Sequence, residues 1–195
     1  MTPLQIFQPG NRIKFPLSTS FKNSFFSTSG DPPDLGEASN GAGKLAVTMT
    51  DPNGRTAACM FEFVPYTPGA INYVEGKDTV VSGIFTGCYM AVYTVKGIRR
   101  VAHVHTGTDA PCQKKTYSAL FTRSGYTEVG NFKPYDGNRD FDIVRPIVKP
   151  PSFEAPVLGL ITPHNRGYSI YLKEGGSFDY TVHDCVERTL VKGIS

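Results

Sequence analysis

Short apolar runs of period two, each cut off by a turn, constrain this chain more than any other feature. Leu45, Val47 and Met49 alternate with Ala46, Thr48 and Thr50, the pattern of a half-buried strand. Asp51-Pro52-Asn53-Gly54 follows; Pro presets φ and Gly supplies the positive-φ position of a turn. A second run, Ala57–Val64, places Cys59, Phe61 and Phe63 on one face and completes a hairpin. Residues 79–85 form another apolar run. Tyr89–Val95 and Ile98–His105 flank Lys96-Gly97, a two-residue loop that joins antiparallel strands. Val157–Thr162, Tyr168–Leu172 and Phe178–Val186 add three more candidate strands. Residues 116–123 read as one or two helical turns.

The 20 glycines and 15 prolines favour many turns, and the 23 Tyr and Phe residues favour strands over long helices. The expectation is a β-rich α+β protein, two packed and mainly antiparallel sheets forming a β-sandwich with a few short helices. Its 195 residues suit one domain. Residues 1–43 read as an irregular N-terminal arm, rich in Ser, Thr, Asn, Gly and Pro, in which Phe21, Phe25 and Phe26 supply material for one short element. Residues 44–195 then form a single catalytic domain. Residues 124–156 read as loop-rich.

Lys and Arg are spread along the chain, the formal net charge is +3, and no basic stripe points to nucleic acid. No apolar run is long enough to span a membrane, and the N-terminus carries no signal-peptide pattern. The four cysteines, Cys59, Cys88, Cys112 and Cys185, contain no C-x-x-C pair, which argues against zinc ribbons and thioredoxin-like sites. They permit two disulfides, and a chain this long does not need them.

The chemistry concentrates in Ser82–Gly107. Cys88 follows Thr86-Gly87, where a loop enters a strand; Gly allows a sharp turn, and backbone N–H groups there can hold an oxyanion. If Lys96 and Gly97 are the loop, Val95 faces Ile98, Cys88 falls opposite His105, and His103 lies diagonal to Cys88. Both histidines then share the face of Cys88, and a one-residue slip would separate them from it. An imidazole beside a thiol lowers its pKa and moves its proton, so the site suits nucleophilic acyl transfer through a thioester.

Phe85-Thr86-Gly87-Cys88 resembles the nucleophile element of the cytotoxic necrotizing factor and Burkholderia lethal factor family of Cys-His glutamine deamidases. Val101-Ala102-His103-Val104 resembles the family's histidine strand, at a separation of 15 residues from Cys88. The similarity covers roughly residues 44–107. It implies Cys88 and His103 as the catalytic pair, with Ser82 a position for the main-chain group that orients the histidine. It also implies a toxin or effector, secreted without a visible signal peptide and acting in the host cytoplasm. The substrate it implies is a host-protein glutamine, on a Rho-type GTPase or a translation-initiation helicase among the family's targets. No cofactor, nucleic acid or membrane span is expected, and the chain is read as a monomer.

Two other readings compete. His103-x-His105 after Gly97 matches the start of a cupin metal motif, with Asp109 where Glu is expected and the later Gly missing. Such a composition also suits a β-sandwich binding module without catalysis. Chemoreceptor deamidases rank below the toxins because their longer Gly-rich signature is absent. Cys59, Cys185 and His183 read as packing residues, His164 as a turn residue, and Arg99-Arg100 as a solvated edge or a substrate-contact rim.

Overall fold

The fold is seen in a computed structural model that describes residues 2–15, 39–40, 43–83, 85–107, 112–147, 156–176 and 179–194. The strands are β1 (Arg12–Lys14), β2 (Ser39–Asn40), β3 (Gly43–Thr50), β4 (Thr56–Val64), β5 (Ile71–Glu75), β6 (Val80–Gly83), β7 (Tyr89–Val95), β8 (Ile98–Val104), β9 (Tyr126–Phe132), β10 (Val157–Ile161), β11 (Gly167–Gly176) and β12 (Asp179–Arg188). Among the described residues three short helices accompany them: α1 (Pro3–Ile6), α2 (Lys114–Leu120) and α3 (Phe141–Val144).

The expected sandwich is not what forms. Seven strands close into a barrel in the order β1-β12-β11-β10-β6-β4-β3, and β2-β5-β8-β7-β9 make a separate five-stranded sheet. Two features explain the difference. β1 pairs with β12 on one side and β3 on the other, so it joins both edges of the sheet. β4 and β6 run parallel, an arrangement that requires a crossover. The chain makes it by leaving the barrel after Val64, laying β5 into the other sheet, and returning at Val80. Closure removes the exposed edges a sandwich would carry.

The β3–β4 hairpin forms as its alternation dictates. Leu45, Val47 and Met49 point into the barrel with Phe61 and Phe63. Asp51 organises the turn: its Oδ1 accepts from the N–H groups of Asn53 and Arg55 at 2.9 and 2.8 Å, and Gly54 takes φ 81°. Residues 2–15, read within the arm, supply α1 and β1; Ile6, Phe7, Ile13 and Phe15 enter the barrel core. Phe21, Phe25 and Phe26 lie outside the described residues.

The five-stranded sheet is covered on both faces. Tyr89, Ala91, Tyr93, Ala102 and Val104 pack beneath α2, against Tyr117 and Leu120. Cys88, Met90, Val92 and Val101 face the barrel, where Val64, Val80, Phe85 and Ile161 meet them. The interface between barrel and sheet is therefore apolar, and the polar groups buried in it stand out.

Candidate active site

The β7–β8 hairpin sets the geometry. Lys96 and Gly97 take φ 50° and 81°, as a two-residue hairpin loop of the twisted kind requires. The register runs from Val95↔Ile98 to Tyr89↔Val104. One step further, Cys88 and His105 are opposite each other, and His103 shares their face.

Cys88 Sγ lies 4.0 Å from His105 Nδ1. The Tyr66 hydroxyl reaches the same nitrogen at 3.2 Å, and the Tyr66 ring lies against both imidazoles, with centroids 5.2 Å from His103 and 5.7 Å from His105. The backbone of His105 is held on both sides: its N–H donates to Ala70 O at 3.1 Å, and its carbonyl accepts from Gln113 N at 2.9 Å. Cys88 and His105 are both buried.

His103 is placed differently. Its Nδ1 is 2.8 Å from Ser82 Oγ, and Ser82 Oγ donates to Val64 O at 2.7 Å. A hydroxyl has one hydrogen. Since Ser82 gives it to Val64, His103 Nδ1 must carry the proton that Ser82 accepts. Nε2 is then the bare nitrogen, buried and without a hydrogen-bond partner among the described residues. The ring stacks on Phe85 at 4.2 Å and 9°. Burial, aided by the nearby His105, holds this imidazole down at about 3, so it is neutral at ordinary pH.

The expected pair thus resolves into two arrangements. Among the described residues neither ring nitrogen of His103 is bonded to Cys88, and the imidazole at the sulfur is that of His105. Ser82, expected to act through its main chain, instead orients His103 through its hydroxyl. Register alone puts His105 opposite the thiol; the choice of His103 rests on the resemblance of Val101-Ala102-His103-Val104 to the family's histidine strand. Tyr66 had no local signal, because it lies in a Pro-flanked loop nearly forty residues before the histidine.

Thr106 ties the two halves of the site, its hydroxyl donating to Gly87 O at 2.8 Å. Gly87 does not adopt a positive φ, and a Cβ built there would meet nothing within 4 Å. Neither a left-handed backbone nor close packing therefore requires a glycine there.

The other cysteines differ. All four are free. Cys59 and Cys185 pack against the barrel core, and burial with help from Asp184 pushes the Cys185 thiol up to about 11. Among the described residues no three His, Cys, Asp or Glu side chains gather as a metal site; Asp109 lies outside them. Arg99 is a structural pin, bonding Asn165 Oδ1, Gly76 O and Thr162 O at 2.8–3.0 Å. Arg100 pairs with Glu75 and lies over the Tyr73 ring. Both sit toward the opposite end of the hairpin from the thiol. Among the described residues no helix is long and apolar enough to cross a membrane.

No protein-family profile, curated protein or solved structure matches this chain.

Proposed function

We propose that the protein is a thiol hydrolase that deamidates glutamine, with Cys88 as nucleophile and His105 as its proton acceptor and donor. The observation that carries this reading is the 4.0 Å separation of Cys88 Sγ and His105 Nδ1 at a loop-to-strand entry. That distance is loose for a hydrogen bond to sulfur and fits a pair that tightens when substrate binds. The choice of a carboxamide substrate rests on the resemblance of Phe85–Cys88 to the deamidase toxins.

In this mechanism His105 Nδ1 takes the thiol proton as Sγ attacks the carboxamide carbon. The proton passes to the departing nitrogen, ammonia leaves, and a thioester remains on Cys88. Water, deprotonated by His105, hydrolyses the thioester to glutamate and restores the thiol. His103 stays neutral behind the pair, fixed by Ser82 and Phe85. By the same resemblance the protein acts as a secreted effector in a host cytoplasm, on a Rho-type GTPase or a translation-initiation helicase.

The test is ammonia release, with Gln-to-Glu conversion read by mass spectrometry, on candidate targets of both classes. Wild type converts a target glutamine; Cys88→Ser and His105→Ala, both folded, do not. Full conversion by Cys88→Ser would remove the reading.

A further inference from the structure

We propose that Thr106 is a positioning residue, whose hydroxyl sets the separation of the thiol and the imidazole. The inference rests on the Cys88–His105 reading above. The last backbone pair of the β7–β8 ladder is Tyr89↔Val104. Hydrogen-bonded and non-hydrogen-bonded pairs alternate along an antiparallel ladder, so Cys88 and His105 meet at a non-hydrogen-bonded position, the His105 N–H donating to Ala70 O on the β5 side and its carbonyl accepting from the Gln113 N–H. The next main-chain rung would join Thr106 to Gly87. The Thr106 hydroxyl takes that place, donating to Gly87 O at 2.8 Å. A side-chain rung thus replaces a main-chain one, and it flanks both members of the pair.

This substitution has a chemical consequence. A continued ladder would zip the two backbones together across the site. A hydroxyl on a side-chain arm keeps the two segments registered one residue beyond the pair. The Gly87 carbonyl is held in one direction by the bond, which fixes the plane of the Gly87–Cys88 peptide and with it the start of the Cys88 side chain. Thr106 and Gly87 are half-buried, so the tie sits at the rim and not in the core. Its loss exposes Gly87 O to water, which can satisfy it, so folding tolerates the change where geometry does not. A displacement of about 1 Å at a reacting pair is enough to cost about a hundredfold in rate.

The experiment is the pH profile of Cys88 alkylation by iodoacetamide in the full chain, followed peptide by peptide, for wild type, Thr106→Val, Thr106→Ser and His105→Ala. Wild type is expected to keep reacting well below the titration of a free thiol, and Thr106→Ser to match it. Thr106→Val, similar in shape but lacking the hydroxyl, is expected to lose about tenfold in rate near pH 6, one pKa unit of the thiol. A merely structural role would lower Tm and leave this profile unchanged. A wild-type profile in Thr106→Val, or an equal loss in Thr106→Ser, overturns the proposal. A wild-type profile that is already that of a free thiol, or one unmoved by His105→Ala, removes the Cys88–His105 reading and this proposal with it.

Discussion

The Tyr66 hydroxyl lies 3.2 Å from His105 Nδ1, the same nitrogen that faces Cys88 Sγ at 4.0 Å. Acceptance of the thiol proton requires Nδ1 to be bare, and with Nδ1 bare phenol and thiol compete for one lone pair. Tyr66 then donates to it, and once Nδ1 takes the thiol proton that donation is lost. On this tautomer Tyr66 favours the neutral thiol–imidazole pair over thiolate–imidazolium. Tyr66→Phe is expected to raise the thiolate fraction about fivefold, the worth of one hydrogen bond of about 1 kcal/mol. The check is thiolate ultraviolet absorbance, compared with the same variant carrying Cys88→Ser. An unchanged or smaller signal would contradict the assignment.

His103 gives the fold a pH dependence of definite sign. Its imidazole is held down at about 3, against an ordinary value of 6.5. The unfolded chain therefore binds a proton that the folded chain refuses, and the stability His103 confers is present above pH 6.5 and lost as pH falls toward 3. The loss amounts to a few kcal/mol across that window. Asp140 acts in the same direction but lower: burial opposes its charge, yet Arg139 and Arg188 hold it below the ordinary carboxylate value of 3.8. His103→Asn, which keeps a donor for Ser82 and does not titrate, is expected to flatten the limb above about pH 4 and spare the one below. Urea unfolding at a series of pH values measures both.

Two glycines predict opposite outcomes. A Cβ on Gly87 meets nothing within 4 Å, so Gly87→Ala is expected to change stability by less than about 0.5 kcal/mol. Its kinetics are expected to stay within about twofold of wild type, because the added methyl group displaces nothing. A Cβ on Gly159 would stand 2.7 Å from Met90 Sδ and 3.0 Å from both Phe85 Cε2 and Pro134 Cγ. Gly159→Ala is therefore expected to destabilise by about 1–3 kcal/mol through overpacking behind the site. Thermal melts alongside steady-state kinetics separate the two effects.

Local pattern made some of this structure legible and long-range pairing hid the rest. The β7–β8 register followed from Lys96-Gly97, and with it the meeting of Cys88 and His105. The inward face of β3 followed from Leu45, Val47 and Met49. Barrel closure did not, because it depends on β1 meeting β12 across nearly the whole chain, and three residues carry no period. β9 also escaped: Tyr126–Phe132 has no clean alternation, and its Gly130 is needed for close approach to Leu190, where a Cβ would come within 2.8 Å. In the site, Ser82 was found by position, but its role through the hydroxyl depends on Val64 in a neighbouring strand. Tyr66 and Thr106 act through contacts that sequence spacing does not reveal.

The pairing of Cys88 with His105 is tested most directly by site-resolved iodoacetamide labelling of the four cysteines at about pH 6, where an unassisted thiol is almost wholly protonated. Cys88, buried as it is, should label faster than Cys59 and far faster than Cys185, whose thiol burial pushes up to about 11. His105→Ala should remove that advantage, and His103→Asn should leave it in place. Labelling of Cys88 that is no faster than that of Cys185, or that survives His105→Ala and falls with His103→Asn, would contradict the account.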